Sequence, residues 1–226
     1  RWLANVTTKR NTNNFYTTKE LYEGKLRLIH RQGEYIGPKE SPYSDDLINL
    51  IGWVLTDGSL RYYDLPGKPR NGKPWKVTLT QSYTANPNKV KLIDELLDKL
   101  NYNYHKKDKG SSYNWVFNND LANVLHKIIP NKRLTMPFLL SLPKHQLEIL
   151  YNSVSLGDGH RGGNAILTGK SDQADMIQIL NILLGRTSNI NARDNIGRKC
   201  YSDKISNKKG YVEIKNKRYS VSSGRR

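Results

Sequence analysis

Cysteine is almost absent from this sequence, which has one, Cys200, and only five histidines among its 226 residues. A single cysteine excludes an intramolecular disulfide and any zinc site built on a cysteine cluster. The histidines are scattered and lack the spacing of metal ligands. No apolar run is long enough to span a membrane, and no secretory signal peptide is recognisable. These absences predict an intracellular protein, in the cytoplasm or an organelle matrix, that is not secreted.

Acidic residues are also scarce, since 20 Asp and Glu stand against 37 Lys and Arg, which gives a net charge of +17. Such a charge indicates a polyanionic partner, most often nucleic acid. A ribosome-associated or simply basic protein is the alternative class. A membrane surface is disfavoured because no predicted helix is both strongly amphipathic and rich in lysine. The chain is long enough for one large domain or two small ones.

Two apolar runs, about a hundred residues apart, end in the same dipeptide, Asp-Gly. We predict that both are helices, with Asp57 and Asp158 at their C-terminal ends. Since that end of a helix is partially negative, a carboxylate there is unfavourable, and a divalent cation is the simplest compensation. The runs are residues 50–58 and 151–159, and the small residues Gly52 and Ser153 inside them would form the interface and let the two helices approach closely.

The remaining elements follow in a repeated order. Ser44 is expected to cap the first Asp-Gly helix, and Gly58 to end it in the left-handed conformation. The clearest strand covers residues 75–81, and the next helix is expected to have Asn86 as its N-cap and Pro87 at its first position. The other predicted elements are strands 102–107 and 112–117, a helix 121–129, a short apolar stretch 136–142, a helix 144–157, a hairpin 160–169 turning at Gly162-Gly163, a helix 172–184 ended by Gly185, and strands 188–193, 199–204 and 211–222.

The strand at residues 75–81 alternates apolar and polar side chains, which is typical of a sheet with one solvated face. A charge, hydroxyls and an amide suit phosphates and base edges, although an ordinary solvated face has the same pattern. The apolar face has Val77 and Leu79, and the polar face has Lys76, Thr78 and Thr80, with the Gln81 amide at the end.

The order helix, strands, helix, strands occurs twice, beginning near residues 44 and 144. Such a repeat implies a pseudo-two-fold molecule whose axis runs between the two Asp-Gly helices. The N-terminal arm is expected to pack on the main domain or on the ligand, and a disordered tail is the alternative for residues 1–15. The predicted segments are a basic arm at 1–43, a first repeat at 44–143 and a second repeat at 144–226.

The two runs resemble the LAGLIDADG motif of homing endonucleases in its single-chain, two-repeat form. Both copies have the apolar helix, the small third residue, the acidic eighth residue and the final glycine. The resemblance covers residues 44–222 and implies an α+β fold. That fold has two pseudo-symmetric αββαββ(α) repeats with saddle-shaped antiparallel sheets, packed through two central helices. Asn152 and Ser155 make the second helix more polar, and the second repeat has no recognisable closing helix, so we expect unequal halves.

The resemblance further implies a monomeric, site-specific endonuclease that hydrolyses both strands of a long double-stranded DNA site. Asp57 and Asp158 would bind Mg²⁺, or another divalent cation such as Mn²⁺, over the scissile phosphates. The backbone carbonyls of Thr56 and Gly157 are further candidate ligands, since carbonyls in a last helical turn lack intrahelical partners. Hard oxygen ligands suit Mg²⁺. No general base is evident beside either aspartate, so solvent is expected to take the proton.

Other residues are assigned by their likeness to positions in the family. Gln81 resembles its polar residue near the metal-bound water, Lys132 resembles its basic residue near the phosphate, and Lys170 is the second-repeat counterpart. His160 is either part of the water network or a turn residue. The candidate DNA contacts, each of which has an ordinary surface charge or hydroxyl as its alternative, are Arg61, Lys76, Thr78, Thr80, Lys106, Arg161, Arg193, Lys199 and Lys215.

Three functions are compatible with these residues. The first is a homing endonuclease encoded by a mobile intron. The second is a non-cleaving nucleic-acid binder on the same fold, either a transcription regulator or a maturase with intron RNA as its partner. The third is the endonuclease part of an intein. The pair Asp57 and Asp158 favours an enzyme, because a pure binder has no need of two carboxylates at helix C-termini.

Overall fold

The structure is a computed structural model with an α+β fold, as predicted. It describes residues 35–62, 74–159 and 165–195, together with six shorter segments that are all strands. Three of these strands precede residue 35: β1 (Leu3–Thr7), β2 (Asn13–Thr17) and β3 (Leu28–His30).

The first repeat has the predicted order αββαββα. Its four strands form one antiparallel sheet in the order β4-β5-β7-β6, with the three helices of the repeat close to it. The elements are α1 (Asp45–Asp57), β4 (Gly58–Tyr62), β5 (Pro74–Ser82), α2 (Pro87–Lys99), β6 (Tyr104–Asp108), β7 (Ser112–Phe117) and α3 (Asn119–Ile128).

Helix α1 begins as predicted and ends differently. The Ser44 hydroxyl accepts a hydrogen bond from the Leu47 amide at 3.2 Å, so it caps the helix. Gly58 has φ −92°, which is extended rather than left-handed, and the prediction of a left-handed stop was wrong. The chain passes directly from α1 into β4, so Gly58 is already the first residue of a strand. A Cβ at Gly58 would collide with the Val54 carbonyl.

Helix α2 begins at the predicted dipeptide, with Pro87 in the first turn. Asn86 occupies the cap position but makes no side-chain cap hydrogen bond. Its amide instead donates to Gln81 Oε1 at 3.1 Å. The predicted capping role was therefore wrong, because the Asn86 side chain supports the end of β5.

The core of the first repeat lies between the sheet and the helices. Val77, Leu79 and Trp115 are fully buried on the helix side of the sheet, opposite Ile93 and Leu121, which are also inaccessible to solvent. This burial is the main stabilising force of the repeat, since each such side chain contributes about 1.5–3 kcal/mol. No helix in the described part of the chain has both the length and the apolar character needed to cross a bilayer.

A short connection leads to the second repeat, which is only partly like the first. Among the residues described between its first two helices there is one strand, and Gly159 adds an isolated antiparallel bridge to Ile166. The predicted turn at Gly162-Gly163 lies outside the described residues. The connection contains a 3₁₀ turn (Pro130–Lys132) and α4 (Met136–Leu140). The elements of the second repeat are α5 (Lys144–Asp158), β8 (Ala165–Thr168), α6 (Ser171–Leu183), β9 (Thr187–Asn195) and β10 (Arg198–Ser206).

The second repeat forms a three-stranded antiparallel sheet in the order β8-β10-β9. Gly185 ends α6 as predicted, and its φ of +70° is the left-handed conformation common for glycine at this position. Its amide donates to the carbonyl of Ile182 at 2.9 Å.

The C-terminal segment does not join this sheet. Residues 211–222, predicted as one strand of the second repeat, contain two strands, β11 (Tyr211–Lys215) and β12 (Arg218–Ser220). They belong to a five-stranded sheet with the order β12-β11-β3-β1-β2, in which Tyr211 pairs with His30. The prediction failed because strand pairing is non-local, and a repeat pattern carries no information about which distant segment supplies the partner.

The segment between β3 and α1 contacts α4 and the first turn of α5. The Tyr35 hydroxyl donates to the Leu140 carbonyl at 2.8 Å, and the Ser41 hydroxyl donates to Gln146 Oε1 at 2.5 Å. The rings of Tyr43 and Phe138 meet edge to face with centroids 5.8 Å apart. Residues 35–43 are thus packed against α4 and α5.

Candidate functional site

Helices α1 and α5 pack against each other with almost no space between their backbones. A Cβ added to Gly52 would lie 2.6 Å from Ser153 Cβ and still closer to its hydroxyl. Ser153 is 2% exposed, and its hydroxyl donates to carbonyls of its own helix at 3.0 Å. A Cβ on Gly157 would likewise collide with the side chain of Thr56. Gly52 and Ser153, the predicted interface residues, are therefore in direct contact. Thr56 and Gly157, whose carbonyls are candidate metal ligands, are also in contact.

The close packing brings Asp57 and Asp158 to the same end of the helix pair. Burial raises the pKa of the Asp57 carboxyl, against the opposing charges of Lys89 and Lys132 and the hydrogen bond from Gln81. Burial also raises the pKa of Asp158, and the nearby charge of Asp57 raises it further, with the same two lysines opposing. The two carboxylates therefore form a partly desolvated negative pair.

Gln81 supports the first of these carboxylates. Its Nε2 donates to Asp57 Oδ2 at 3.1 Å, while its Oε1 accepts from the Ser82 amide and the Asn86 side chain, both at 3.1 Å. It is 5% exposed and lies on the helix side of β5. The expectation that Gln81 extends the polar face was wrong, because an odd-numbered residue of this strand shares its face with Val77. Among the described residues, no side chain donates a corresponding hydrogen bond to Asp158.

Lys132 reaches the end of helix α1. Its ammonium group donates to the carbonyls of Thr56 and Gly58 at 3.0 and 2.6 Å. Asn131 and Lys132 have φ of +55° and +57°, a left-handed conformation that is uncommon for residues other than glycine. Backbone strain of this kind costs about 1–3 kcal/mol per residue and persists where the surrounding contacts require it.

The electrostatic surroundings of Lys132 tie it to both aspartates. Burial lowers the pKa of its ammonium group, and the charge of Lys170 lowers it further. The carboxylates of Asp158 and Asp57 oppose this change by raising the same pKa. Lys170 itself lies at the start of α6, so the second repeat also contributes a cation to this site.

A cavity of about 690 Å³ opens beside Asp158. Its polar lining includes Thr56, Lys132, Asp158 and Lys170, all four of which were candidates from the sequence. The structure thus gathers the predicted central residues around one end of α1 and α5.

Sequence reasoning missed Lys89. This residue lies in the first turn of α2, and its ammonium group donates to the Gly157 carbonyl at 3.1 Å. A lysine at the positive N-terminal end of a helix is unfavourable, as a carboxylate is at the negative end. The argument that singled out Asp57 and Asp158 could therefore have identified Lys89 as well.

The candidate metal ligands at this site are all oxygen atoms. Two carboxylates and the carbonyls of Thr56 and Gly157 are the ligand types preferred by Mg²⁺ and Ca²⁺. Within the described ranges, no group of three or more His, Cys, Asp or Glu side chains gathers anywhere. The residues present therefore fit a hard divalent cation, and they do not form a zinc site.

The outer face of the first sheet, which points away from the helices, carries most of the remaining candidates. Because paired residues of neighbouring strands share a face, the pairs Arg61–Lys76 and Thr80–Asn114 both belong to it. Thr80 is exposed, whereas Thr78 is almost covered by its neighbours. Residues of this face that the sequence did not single out are Ser59, His105, Lys107 and Asn114.

Lys106, a candidate DNA contact, does not lie on the outer face of the sheet. It pairs with Trp115, so it lies on the helix side of the sheet. Its ammonium group forms an ion pair with Asp94 of α2 at 2.7 Å and lies over the Tyr113 ring at 4.3 Å. The predicted strand was correct, but its faces were not distinguished.

The other candidate contacts are not tested by the structure. Arg161 and His160 lie outside the described residues. Arg193, Lys199 and Lys215 lie on β9, β10 and β11, where the backbone is described and these side chains are not.

Solved structures of the homing endonuclease I-DmoI are similar to this chain. A study of its mesophilic variants and its complex with DNA and Mn each match with a TM-score of 0.53 and 16% identity, over 72% of this chain and 89% of theirs. Its complex with DNA and Ca matches with the same TM-score and identity, over 72% of this chain and 83% of that one. No protein-family model and no curated protein matches the sequence.

I-DmoI is a single-chain, two-domain LAGLIDADG homing endonuclease. The resemblance inferred from the two Asp-Gly runs is therefore confirmed, and the chain has the LAGLIDADG fold. At 16% identity the similarity shows the fold alone, so the activity has to be argued from the site.

Proposed function

We propose that this protein is a site-specific endonuclease that hydrolyses both strands of double-stranded DNA with divalent metal ions. One observation carries the proposal: Asp57 and Asp158 meet at the C-terminal ends of two tightly packed helices, where their mutual repulsion has no structural use. The net charge of +17 supports a polyanionic substrate. The complexes of I-DmoI with DNA and Mn or Ca support both the partner and the cofactor class.

The residues of the site have separable roles in this proposal. Asp57 and Asp158, with the carbonyls of Thr56 and Gly157, would hold a divalent cation, which polarises phosphate oxygens and lowers the pKa of water. Gln81 fixes the orientation of Asp57 through its 3.1 Å hydrogen bond.

Lysine side chains supply positive charge where phosphates would bind. Lys132 and Lys170 line the cavity of about 690 Å³ beside Asp158. Ammonium groups there would offset the charge that develops on the phosphate oxygens during hydrolysis. No described side chain stands beside the aspartates as a conventional base, which favours proton transfer to solvent.

The outer face of the first sheet is the proposed surface for reading DNA. It combines cations with hydroxyl and amide groups on neighbouring strands, including Arg61, Lys76, Thr80, Lys107 and Asn114. Cations suit phosphates, and amides and hydroxyls suit base edges in the major groove.

Two adjacent lysines on β6 provide a direct test of this surface. We expect Lys107→Gln to weaken DNA binding and to make the slope of log affinity against log salt shallower by about 0.9, because one phosphate contact is lost. We expect Lys106→Gln to leave DNA binding unchanged and to lower the free energy of unfolding by about 1 kcal/mol, because it loses an ion pair and a ring contact. The affinity is measured by fluorescence anisotropy. Equal effects of both variants on affinity would contradict the assignment of faces.

A non-cleaving DNA-binding protein on the same fold is a second candidate. One observation favours it: lysine ammonium groups already bond to the carbonyls of Thr56 and Gly157, so positive charge is supplied there by the protein itself. A pure binder, such as a transcription regulator, would need no other cation.

Selection of cleaved sites from a randomised duplex library distinguishes the two functions. With Mg²⁺, the endonuclease is expected to yield one long consensus site cut on both strands. With Ca²⁺, the same site should be bound and left intact. Binding without cleavage in Mg²⁺ and in Mn²⁺ would favour the non-cleaving protein.

The charge of the chain leads to a quantitative expectation for DNA binding itself. The logarithm of affinity should fall linearly with the logarithm of salt concentration, with a slope of about −0.9 for each phosphate neutralised. Titrations between low and moderate salt measure this slope. A flat response would argue against nucleic acid as the partner.

A further inference from the structure

The carbonyl oxygens that a metal ion would use at the two helix ends are already engaged by lysines. Lys132 donates to the Thr56 carbonyl at 3.0 Å, and Lys89 donates to the Gly157 carbonyl at 3.1 Å. Both lysines come from the first repeat, while Gly157 belongs to the second. The C-terminal end of each central helix therefore carries an ammonium group where its partial negative charge is most favourable to a cation.

Neither lysine occupies a position that its local backbone favours. Lys132 and its neighbour Asn131 have positive φ. Lys89 lies in the first turn of α2, which contains no acidic residue to offset its charge. Contacts with the carbonyls, and the attraction of Asp57 and Asp158, compensate for both placements. The positive φ at Lys132 and the helix N-terminal position of Lys89 are independent energetic costs, and both place an ammonium group on a helix-end carbonyl. This indicates that the two contacts have a function.

An ammonium group and a divalent cation do not readily share one of these oxygens. A carbonyl has two lone pairs, so both could be accepted in principle. On a single oxygen, however, the two cations would lie within about 5 Å of each other and repel strongly in a partly buried site. One of them must move before the other binds.

We propose that Lys89 and Lys132 are internal cations that compete with divalent metal for the carbonyls of Gly157 and Thr56. Each ammonium group leaves its carbonyl when metal binds and is then free to contact a phosphate of the DNA backbone. Metal binding by the protein alone is consequently weak, and DNA strengthens it by offering the displaced lysines an alternative partner. This inference rests on the proposed metal-dependent function and assigns Lys89 a role at the site.

The test is calorimetric titration of the DNA-free protein with Ca²⁺, comparing the wild type with Lys89→Met. Methionine retains the length of the side chain and removes the charge and the hydrogen bond. Because a hydrogen bond to a charged group is lost from the competing state, we expect Ca²⁺ to bind about tenfold more tightly to the variant. Lys89→Arg, which keeps the charge, should retain wild-type affinity.

Two further variants separate direct competition from a general charge effect. Lys170→Met removes a cation close to Lys132 that is not bonded to either carbonyl, and Lys91→Met removes an exposed cation from the same helix as Lys89. Each should change the Ca²⁺ affinity by less than about threefold, because only screened charge is lost. In chelator, Lys89→Met should unfold cooperatively, about 2–4 °C below the wild type, because a helix-end carbonyl loses its partner.

Unchanged or weaker Ca²⁺ binding by Lys89→Met would overturn the inference, and so would equal tightening by Lys170→Met. These outcomes leave the proposed function intact if the wild type binds Ca²⁺ and cleaves DNA in Mg²⁺. A wild type that binds no divalent cation and cuts no DNA would overturn both.

Discussion

Replacement of Asp57 by asparagine is expected to lower DNA cleavage at least about 1,000-fold, since a metal ligand that contributes several kcal/mol to the transition state is lost. Asparagine has nearly the same shape, and its oxygen can still accept the hydrogen bond from Gln81. DNA affinity in Ca²⁺-free buffer should remain close to that of the wild type, because the proposed DNA-reading face is unchanged. Cleavage at the wild-type rate would show that the site is assigned wrongly.

The same variant should be at least as stable as the wild type at neutral pH in chelator. Burial raises the pKa of Asp57 in the folded protein, so the folded state binds protons more tightly than the unfolded chain. The charged carboxylate therefore destabilises the fold above its folded pKa, and this penalty disappears as the pH falls below the unfolded value of about 3.9. The stability gain of Asp57→Asn should follow this pH dependence in urea titrations.

Asp98→Asn is the matched control. Asp98 lies exposed on α2, and the substitution removes the same charge without touching the helix pair. It should leave cleavage unchanged and produce no comparable gain in stability. A gain of equal size in both variants would indicate a response to net charge rather than to burial at the helix ends.

Replacement of Gly52 by alanine should destabilise the protein by about 1–3 kcal/mol, the usual cost of overpacking a core. The added Cβ would lie 2.6 Å from Ser153 Cβ, which is attached directly to the backbone and cannot rotate away. Helices α1 and α5 must therefore separate. Because Asp57 and Asp158 lie on these helices, we also expect cleavage to fall. Urea unfolding and cleavage rates measure the two effects.

Two further variants make this prediction specific. Ser153→Gly removes the atoms that the new methyl group meets, so the double variant Gly52→Ala/Ser153→Gly should recover most of the lost stability. Gly169→Ala adds the same methyl group where no atom lies within 4 Å and should be neutral or slightly stabilising. If the double variant did not recover stability, the loss in Gly52→Ala would have to come from a contact other than that with Ser153.

Local sequence signals predicted most of the first repeat. The Ser44 cap and Pro87 in the first turn of α2 are confirmed, and so, in the second repeat, is the end of α6 at Gly185, because the physical cause of each lies within a few residues. The element order of the first repeat is likewise confirmed, since alternation and helical spacing record which face of each element is buried. The LAGLIDADG resemblance is confirmed as well.

Predictions that required knowledge of a distant partner were less successful. Gln81 was assigned to the polar face of its strand, although it shares the parity of the apolar residues Val77 and Leu79, and Lys106 was chosen as a DNA contact without its face being determined. The strand predicted at residues 211–222 pairs with the N-terminal strand β3 instead of extending the second repeat. In each case, the side chain or the strand found its partner through contacts between segments far apart in sequence.

By itself, the sequence determined that two carboxylates lie at helix C-termini in a strongly basic chain, because charge, apolar spacing and the Asp-Gly ends are local properties. Only the tertiary structure decided that the two helices pack closely enough for Asp57 to raise the pKa of Asp158. It also decided that Lys89 and Lys132 reach the helix ends. These contacts depend on how α2 and the turn at residues 130–132 pack against helices α1 and α5, and no local sequence pattern encodes that packing.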